Sequence, residues 1–160
     1  MEPRLELVAQ IFKTNTNLFR KSLDGVSREQ LLARPGEDSN PMIWIAGHLT
    51  MYRGSLASLL GNKWQEPWGG IFRRGGSSRD DSRFPEAGEI LEKWGEVSGL
   101  LAQAFQTARA DVLDRVMPQG SSSFDGKAGG TVALLAFHES YHMGQLAYLR
   151  KWLGLGQFVG

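Results

Sequence analysis

The sequence predicts an all-α fold, a four-helix bundle with long connecting loops, carried by one domain over residues 1–160. Three observations carry that expectation. Apolar residues recur at three- and four-residue steps over four long segments, strand-like alternation is scarce, and two long loops rich in Gly and Ser separate the segments. A chain of 160 residues with 41% hydrophobic content is long enough to bury a core.

The first helix is expected over about 4–23, where Leu5, Val8, Ile11, Phe12, Leu18, Phe19 and Leu23 form one apolar stripe that Asp24-Gly25 ends. Ser27, with Gln30 three residues on, then starts one helical turn broken by Pro35-Gly36. Asn40-Pro41 opens the second long helix, about 41–60, because Asn can cap free backbone N–H groups and proline suits the first helical position. Residues 62–83, with four glycines, a proline and mixed charges, read as a long irregular loop. Pro85, Glu86 and Glu89 open the third helix, about 85–110, with Ile90, Leu91, Trp94, Val97, Leu101 and Phe105 along one side. A second loop, "MPQGSSSFDGKAGG", leads to the fourth helix, about 130–153, closed by Gly154.

Composition narrows the function. Lys+Arg 18 against Asp+Glu 17 gives a net charge of +1, so no strong field draws nucleic acid or an anionic membrane to the surface. The acidic residue at position two and the lack of a long apolar run give neither a secretory signal nor a membrane span, and the expected location is cytoplasmic. With no cysteine, histidine and carboxylate are the strong transition-metal ligands left.

The three histidines are His48, His138 and His142. His138 and His142 stand about 40° apart and roughly 6 Å along one helix, so both imidazoles can reach one ion. Thr131, Leu134, Leu135, Gln145, Leu149, Trp152 and Leu153 project within about 60° of His138, which places the pair in a core-facing stripe. His48 projects onto the face of Trp44, Ile45, Tyr52 and Leu59. Three inward imidazoles from two helices make a facial set that leaves positions open for water or substrate. A core histidine satisfied by hydrogen bonds is the plain alternative for each.

His138-Glu139-Ser140-Tyr141-His142 also matches the H-E-x-x-H pattern of zinc proteases. Those enzymes take a third ligand from downstream, and here the segment after His142 holds no His, Asp or Glu. The protease reading therefore fails. Glu139, about 100° from His138 at the shoulder of the stripe, is either a base for water at the metal or a carboxylate flanking the helix interface.

"RPGEDSNPMIWIAGHLTMYR", presenting the first histidine, and "FHESYHMGQLAYLRKWLG", presenting the other two, resemble the DinB/YfiT-like superfamily over nearly the whole chain. The resemblance implies a divalent metal, zinc or nickel among others, held by His48, His138 and His142, and a homodimer. It also implies chemistry like that of thiol-dependent relatives such as mycothiol-dependent maleylpyruvate isomerase and bacillithiol or glutathione S-transferase-like proteins. A metal-dependent enzyme using a low-molecular-weight thiol or water on a small-molecule substrate is the leading expectation. A non-catalytic metal-binding or stress-response bundle protein is the alternative.

Other residues fall near the expected site. Gln145, about 20° from His138, either orients a ligand or satisfies a core group, and Glu139 and Gln145 are the candidate catalytic side chains. Asn15 and Tyr52 either line the pocket or serve the core. Arg73, Arg74, Arg79 and Arg83 either hold carboxylates of a thiol cofactor or belong to a solvated loop. Ala133, Ala136, Ser140, Gly144 and Ala147 form a small-residue stripe that admits another helix, from a second subunit or from the same chain.

Overall fold

The computed structural model of the chain describes residues 1–75 and 79–158, so residues 76–78 of the expected 62–83 loop lie outside the described residues. The described residues are all-helical, with one isolated antiparallel bridge between Val116 and Lys127. The helices are α1 (Glu6–Leu23), α2 (Arg28–Leu32), α3 (Met42–Leu59), α4 (Ala87–Thr107), α5 (Ala110–Asp114) and α6 (Ala128–Trp152). Short 3-10 turns stand at Pro3–Leu5 and Asp81–Arg83. No helix among the described residues is long and apolar enough to cross a membrane.

The start signals act as expected at some ends and not at others. Ser27 and Gln30 form a reciprocal capping box, each side chain bonding the other's backbone N–H. Gly154, at φ 73°, closes α6 with Leu155 N–H donating to the Arg150 carbonyl and Gly154 N–H to that of Lys151. Asn40, by contrast, does not cap α3: Pro41 itself holds the extended N-cap position, without a side-chain bond. Similarly, Pro85 precedes α4, whose N-cap is Glu86. The third helix also ends earlier than expected. Ala108 and Arg109 turn extended after Thr107, and α5 restarts so that Leu113 reaches the core at 1% exposure.

α1 packs against α4 and α6, and α3 packs against the same two, which closes a ring of helix contacts. One apolar cluster contains Phe19, Trp94, Trp44, Leu49 and Leu146; the other contains Leu5, Phe12, Leu56, Phe105 and Val132. Phe19 and Trp94 stack at 3.9 Å in the first. Burial of several such side chains, at roughly 1.5–3 kcal/mol each, supplies the main drive for this packing.

α3 is buried around nearly its whole circumference rather than on one face. Two of its flanks are covered by α4 and α6. A further flank is covered by segment 62–75, whose Trp64 and Phe72 rings lie over Gly54 and Gly47. The expected irregular loop is therefore docked in part, since Phe72 is fully buried and Ile71 nearly so, while Arg73, Arg74, Arg79 and Arg83 are exposed. An all-round apolar helix needs such a cover.

Candidate metal centre

α3 presents His48 and α6 presents His138 and His142, and the three offer one nitrogen each within 4.8 Å of one another. His138 Nε2 lies 3.1 Å from His48 Nε2 and 3.1 Å from His142 Nε2. Two nitrogens each roughly 2.0–2.1 Å from one ion stand about 3 Å apart, so this spacing suits a shared cation.

Proton bookkeeping favours a cation over a hydrogen-bonded cluster. His48 Nδ1–H donates to the Phe72 carbonyl at 2.7 Å, and His142 Nδ1–H donates to Gln145 Oε1 at 2.6 Å. In the neutral rings both Nε2 atoms then carry lone pairs. Both point at His138 Nε2, which has at most one proton to share between them. A cation satisfies all three at once.

The electrostatics hold the rings neutral. Burial pulls the His48 pKa down from 6.5 to about 4 and that of His138 to about 3, with the neighbouring imidazoles adding to the effect at both. Burial also lowers His142, opposed by its bond to Gln145. Neutral imidazoles are the form that binds a metal.

Aromatic rings fix the histidine planes. Trp44, one turn before His48, stacks on it at 4.6 Å and 21°, and Tyr52, one turn after, lies at 4.6 Å from the other direction along the helix. Tyr52 also touches His138 at 5.0 Å, and Tyr141 meets the edge of His142 at 5.4 Å. The buried indole N–H of Trp44 has no acceptor among the described residues. His48 and His142 are 4% and 8% exposed, whereas His138 is only half-buried and so forms the side of the triad that faces outward.

The sequence reading placed His138 at the centre of the buried stripe of α6 and Glu139 at its shoulder, and the structure reverses them. The buried residues of α6 centre on Glu139, which is 2% exposed, while Trp152 is 44% exposed. Glu139 accepts from Arg53 Nε at 3.0 Å and makes a second, short bond to Arg53 Nη2. Arg53 Nη1 donates to Thr16 and Ser98, and Nη2 also donates to the Phe12 carbonyl, so all five guanidinium donors are used. The guanidinium lies 3.7 Å over the Trp94 ring. Burial pushes the Glu139 carboxyl up and Arg53 opposes it. The carboxylate is therefore committed to Arg53.

Gln145 joins the triad through His142, and its amide donates to the Tyr141 hydroxyl at 3.3 Å. Asn15 lies elsewhere, donating to Ser140 at 3.2 Å between α1 and α6. Arg73, Arg74 and Arg83 are exposed, and Arg79 pairs with Asp38. The loop reaches the triad through the Phe72 carbonyl instead. Sequence reasoning missed that carbonyl, which carries no side-chain signature. It also missed Arg53, although Arg53 is the one Asp, Glu, Lys or Arg in α3 and Glu139 the one carboxylate in α6.

No curated protein matches the chain in a sequence comparison. The model of the DinB superfamily matches residues 11–146, a span that begins inside α1 and contains all three histidines. With a match over most of its length, the chain belongs to the DinB superfamily.

Proposed function

We propose that this chain is a metal-dependent enzyme, built on a four-helix bundle of α1, α3, α4 and α6, in which His48, His138 and His142 hold one divalent ion, zinc or nickel. The observation that carries the reading is the convergence of three neutral imidazoles, two with their Nδ1 protons already committed elsewhere. Bound there, the ion supplies Lewis-acid activation of a low-molecular-weight thiol or water for S-transfer to, or isomerisation of, a small electrophile.

The chain's own residues prepare that chemistry. The Phe72 carbonyl and Gln145 hold the tautomers of His48 and His142. The indole N–H of Trp44, stacked on His48 and without an acceptor among the described residues, is a donor for an oxygen of the small molecule. Half-buried His138 leaves the approach from solvent on its side. Glu139 acts in this reading as counter-ion to Arg53 rather than as a base, and Gln145 as the residue that positions His142.

Elemental analysis of protein purified without nickel resin tests the site. About one ion per chain, lost in His142→Ala, is the expected result, and a metal-free wild type that binds neither zinc nor nickel overturns it. A screen of thiols against electrophilic acceptors then tests turnover. The second reading, a metal-binding or stress-response protein without turnover, draws on the rings of Trp44 and Tyr52 against His48 and on the engagement of Glu139. A cobalt-loaded protein that gains a near-ultraviolet charge-transfer band on adding thiol favours the enzyme; one that is spectrally inert to every thiol favours the second reading.

A further inference from the structure

Segment 62–75 reaches the metal centre through the Phe72 carbonyl, and the ring of the same residue sits in a built socket. The Phe72 carbonyl accepts from His48 Nδ1 at 2.7 Å, while the Phe72 side chain is fully buried. A Cβ built on Gly47, the residue before His48, would fall inside the Phe72 ring, so only glycine admits the ring there. Trp68 meets Phe72 edge-on at 5.1 Å and Phe84 stacks on it at 5.8 Å. One residue of the loop is thus locked by its ring and orients a histidine by its backbone.

The rest of the segment is fastened along its length. Asn62 donates to the Leu100 carbonyl of α4 at 2.7 Å, and the Trp68 indole donates to Glu89 of α4 at 2.6 Å. Glu66 accepts from the backbone N–H groups of Trp68 and Gly70, both at 2.7 Å. Trp64 repeats the Phe72 device seven residues along α3: its ring occupies the space where Gly54 would carry a Cβ. Gly54 and Trp64, however, make no bond to a histidine.

We propose that segment 62–75 is a strap that sets the orientation and tautomer of His48, with Phe72 as the positioning residue and Gly47 as its socket. The inference rests on the metal-site reading and adds that the affinity of the site is governed from the loop. Carbonyl acceptance at Nδ1 leaves Nε2 as the donor atom and aims it at the other two imidazoles. Losing an outer partner of this kind typically costs about 10- to 100-fold in metal affinity.

The test compares two equivalent insertions on α3. Gly47→Ala evicts the Phe72 ring, and Gly54→Ala evicts the Trp64 ring; zinc affinity is read by chelator competition, and the His48 tautomer by long-range 15N correlation of the metal-free protein. Gly47→Ala is expected to lower affinity about 10- to 100-fold and to give a mixture of His48 tautomers. Gly54→Ala is expected to keep affinity within about twofold and the Nδ1–H tautomer intact, even where its Tm falls as far. Phe72→Leu, which needs no new space on α3, gives the same readouts where Gly47→Ala does not fold, and is expected to shift both in the Gly47→Ala direction. Wild-type affinity and tautomer in Gly47→Ala or in Phe72→Leu overturns the strap, as does equal loss of affinity in Gly54→Ala. His142→Ala separates the two levels: if it binds zinc as wild type does, the triad reading itself fails, whereas its loss beside an unaffected Gly47→Ala removes the strap alone.

Discussion

Arg53 and Glu139 show how an ion pair can sit in a helical core. Their side chains are 1% and 3% exposed, and the bonds to Thr16, Ser98 and the Phe12 carbonyl complete the set for the guanidinium. A pair so placed gains little over an apolar pair, yet removing one partner strands the other in low dielectric. Arg53→Met is therefore expected to destabilise the fold by about 3–5 kcal/mol in urea titrations, and Arg53→Met with Glu139→Leu to recover most of that loss. If the single variant is as stable as wild type, Glu139 is not held by Arg53. At the same scale, Gln145→Ala removes the acceptor for His142 Nδ1–H and is expected to weaken metal binding about 10- to 100-fold with the fold unchanged, by chelator competition and circular dichroism. The residue pattern made part of this legible: three histidines at helical spacing on apolar helices announce a cluster. Which face of α6 is innermost was not legible, because periodicity alone centres the stripe on His138 and leaves the polar Glu139 at its shoulder. The cation at Arg53, on another helix, makes the inward turn favourable, with a side-chain hydrogen bond from Asn15.

Among the elements, α6 divides its circumference between tasks. One side carries His138, Glu139 and His142; the small-residue stripe is partly filled by α1, where Ala136 is buried and Ser140 accepts from Asn15. Intrachain packing thus covers that part of the stripe, while a Cβ on Gly144 would meet no atom within 4 Å. The apolar surface left over lies beside it: Phe137, Tyr141 and Tyr148 are 66%, 57% and 62% exposed and share with Gly144 a sector of about 60°. Leu7 and Ile11 of α1 are exposed as well. A homodimer formed through this side of α6 would cover the aromatic row. Light scattering at micromolar concentration is then expected to give a dimer for the wild type and a monomer for Phe137→Glu with Tyr148→Glu; a monomeric wild type removes the idea. The long helices were legible from their period. The break between α4 and α5 was not, because Ala108 and Arg109 carry no Gly or Pro stop signal, and the gain comes from seating Leu113 in the cluster that also holds Ala104, Phe105 and Ala108. The docking of segment 62–75 was hidden for a related reason: the four glycines of 62–83 read as loop, while Gly47 and Gly54, the two that admit its rings, lie inside α3.

For the whole molecule, packing three imidazoles between α3 and α6 ties stability to pH with a definite sign. In the folded state burial lowers the pKa of His48 from 6.5 to about 4 and of His138 to about 3, and lowers that of His142. Between those values and 6.5 the unfolded chain binds more protons than the native one, so native stability falls as pH drops through that window and is fully present above it. The metal-free protein is expected to lose Tm from about pH 6.5 downward, and His138→Gln to flatten part of that slope. Metal uptake follows from the same protonation states. At pH 6, three ordinary imidazoles would together release about two protons on binding an ion, but His48 and His138 have almost none to release and the lowered His142 releases less than an ordinary ring. Calorimetric titration of zinc at pH 6 in buffers of different ionisation enthalpy is expected to show less than about one proton released per ion. Release of about two protons would mean that the histidines are protonated before the metal arrives, and that the interior does not hold the triad ready.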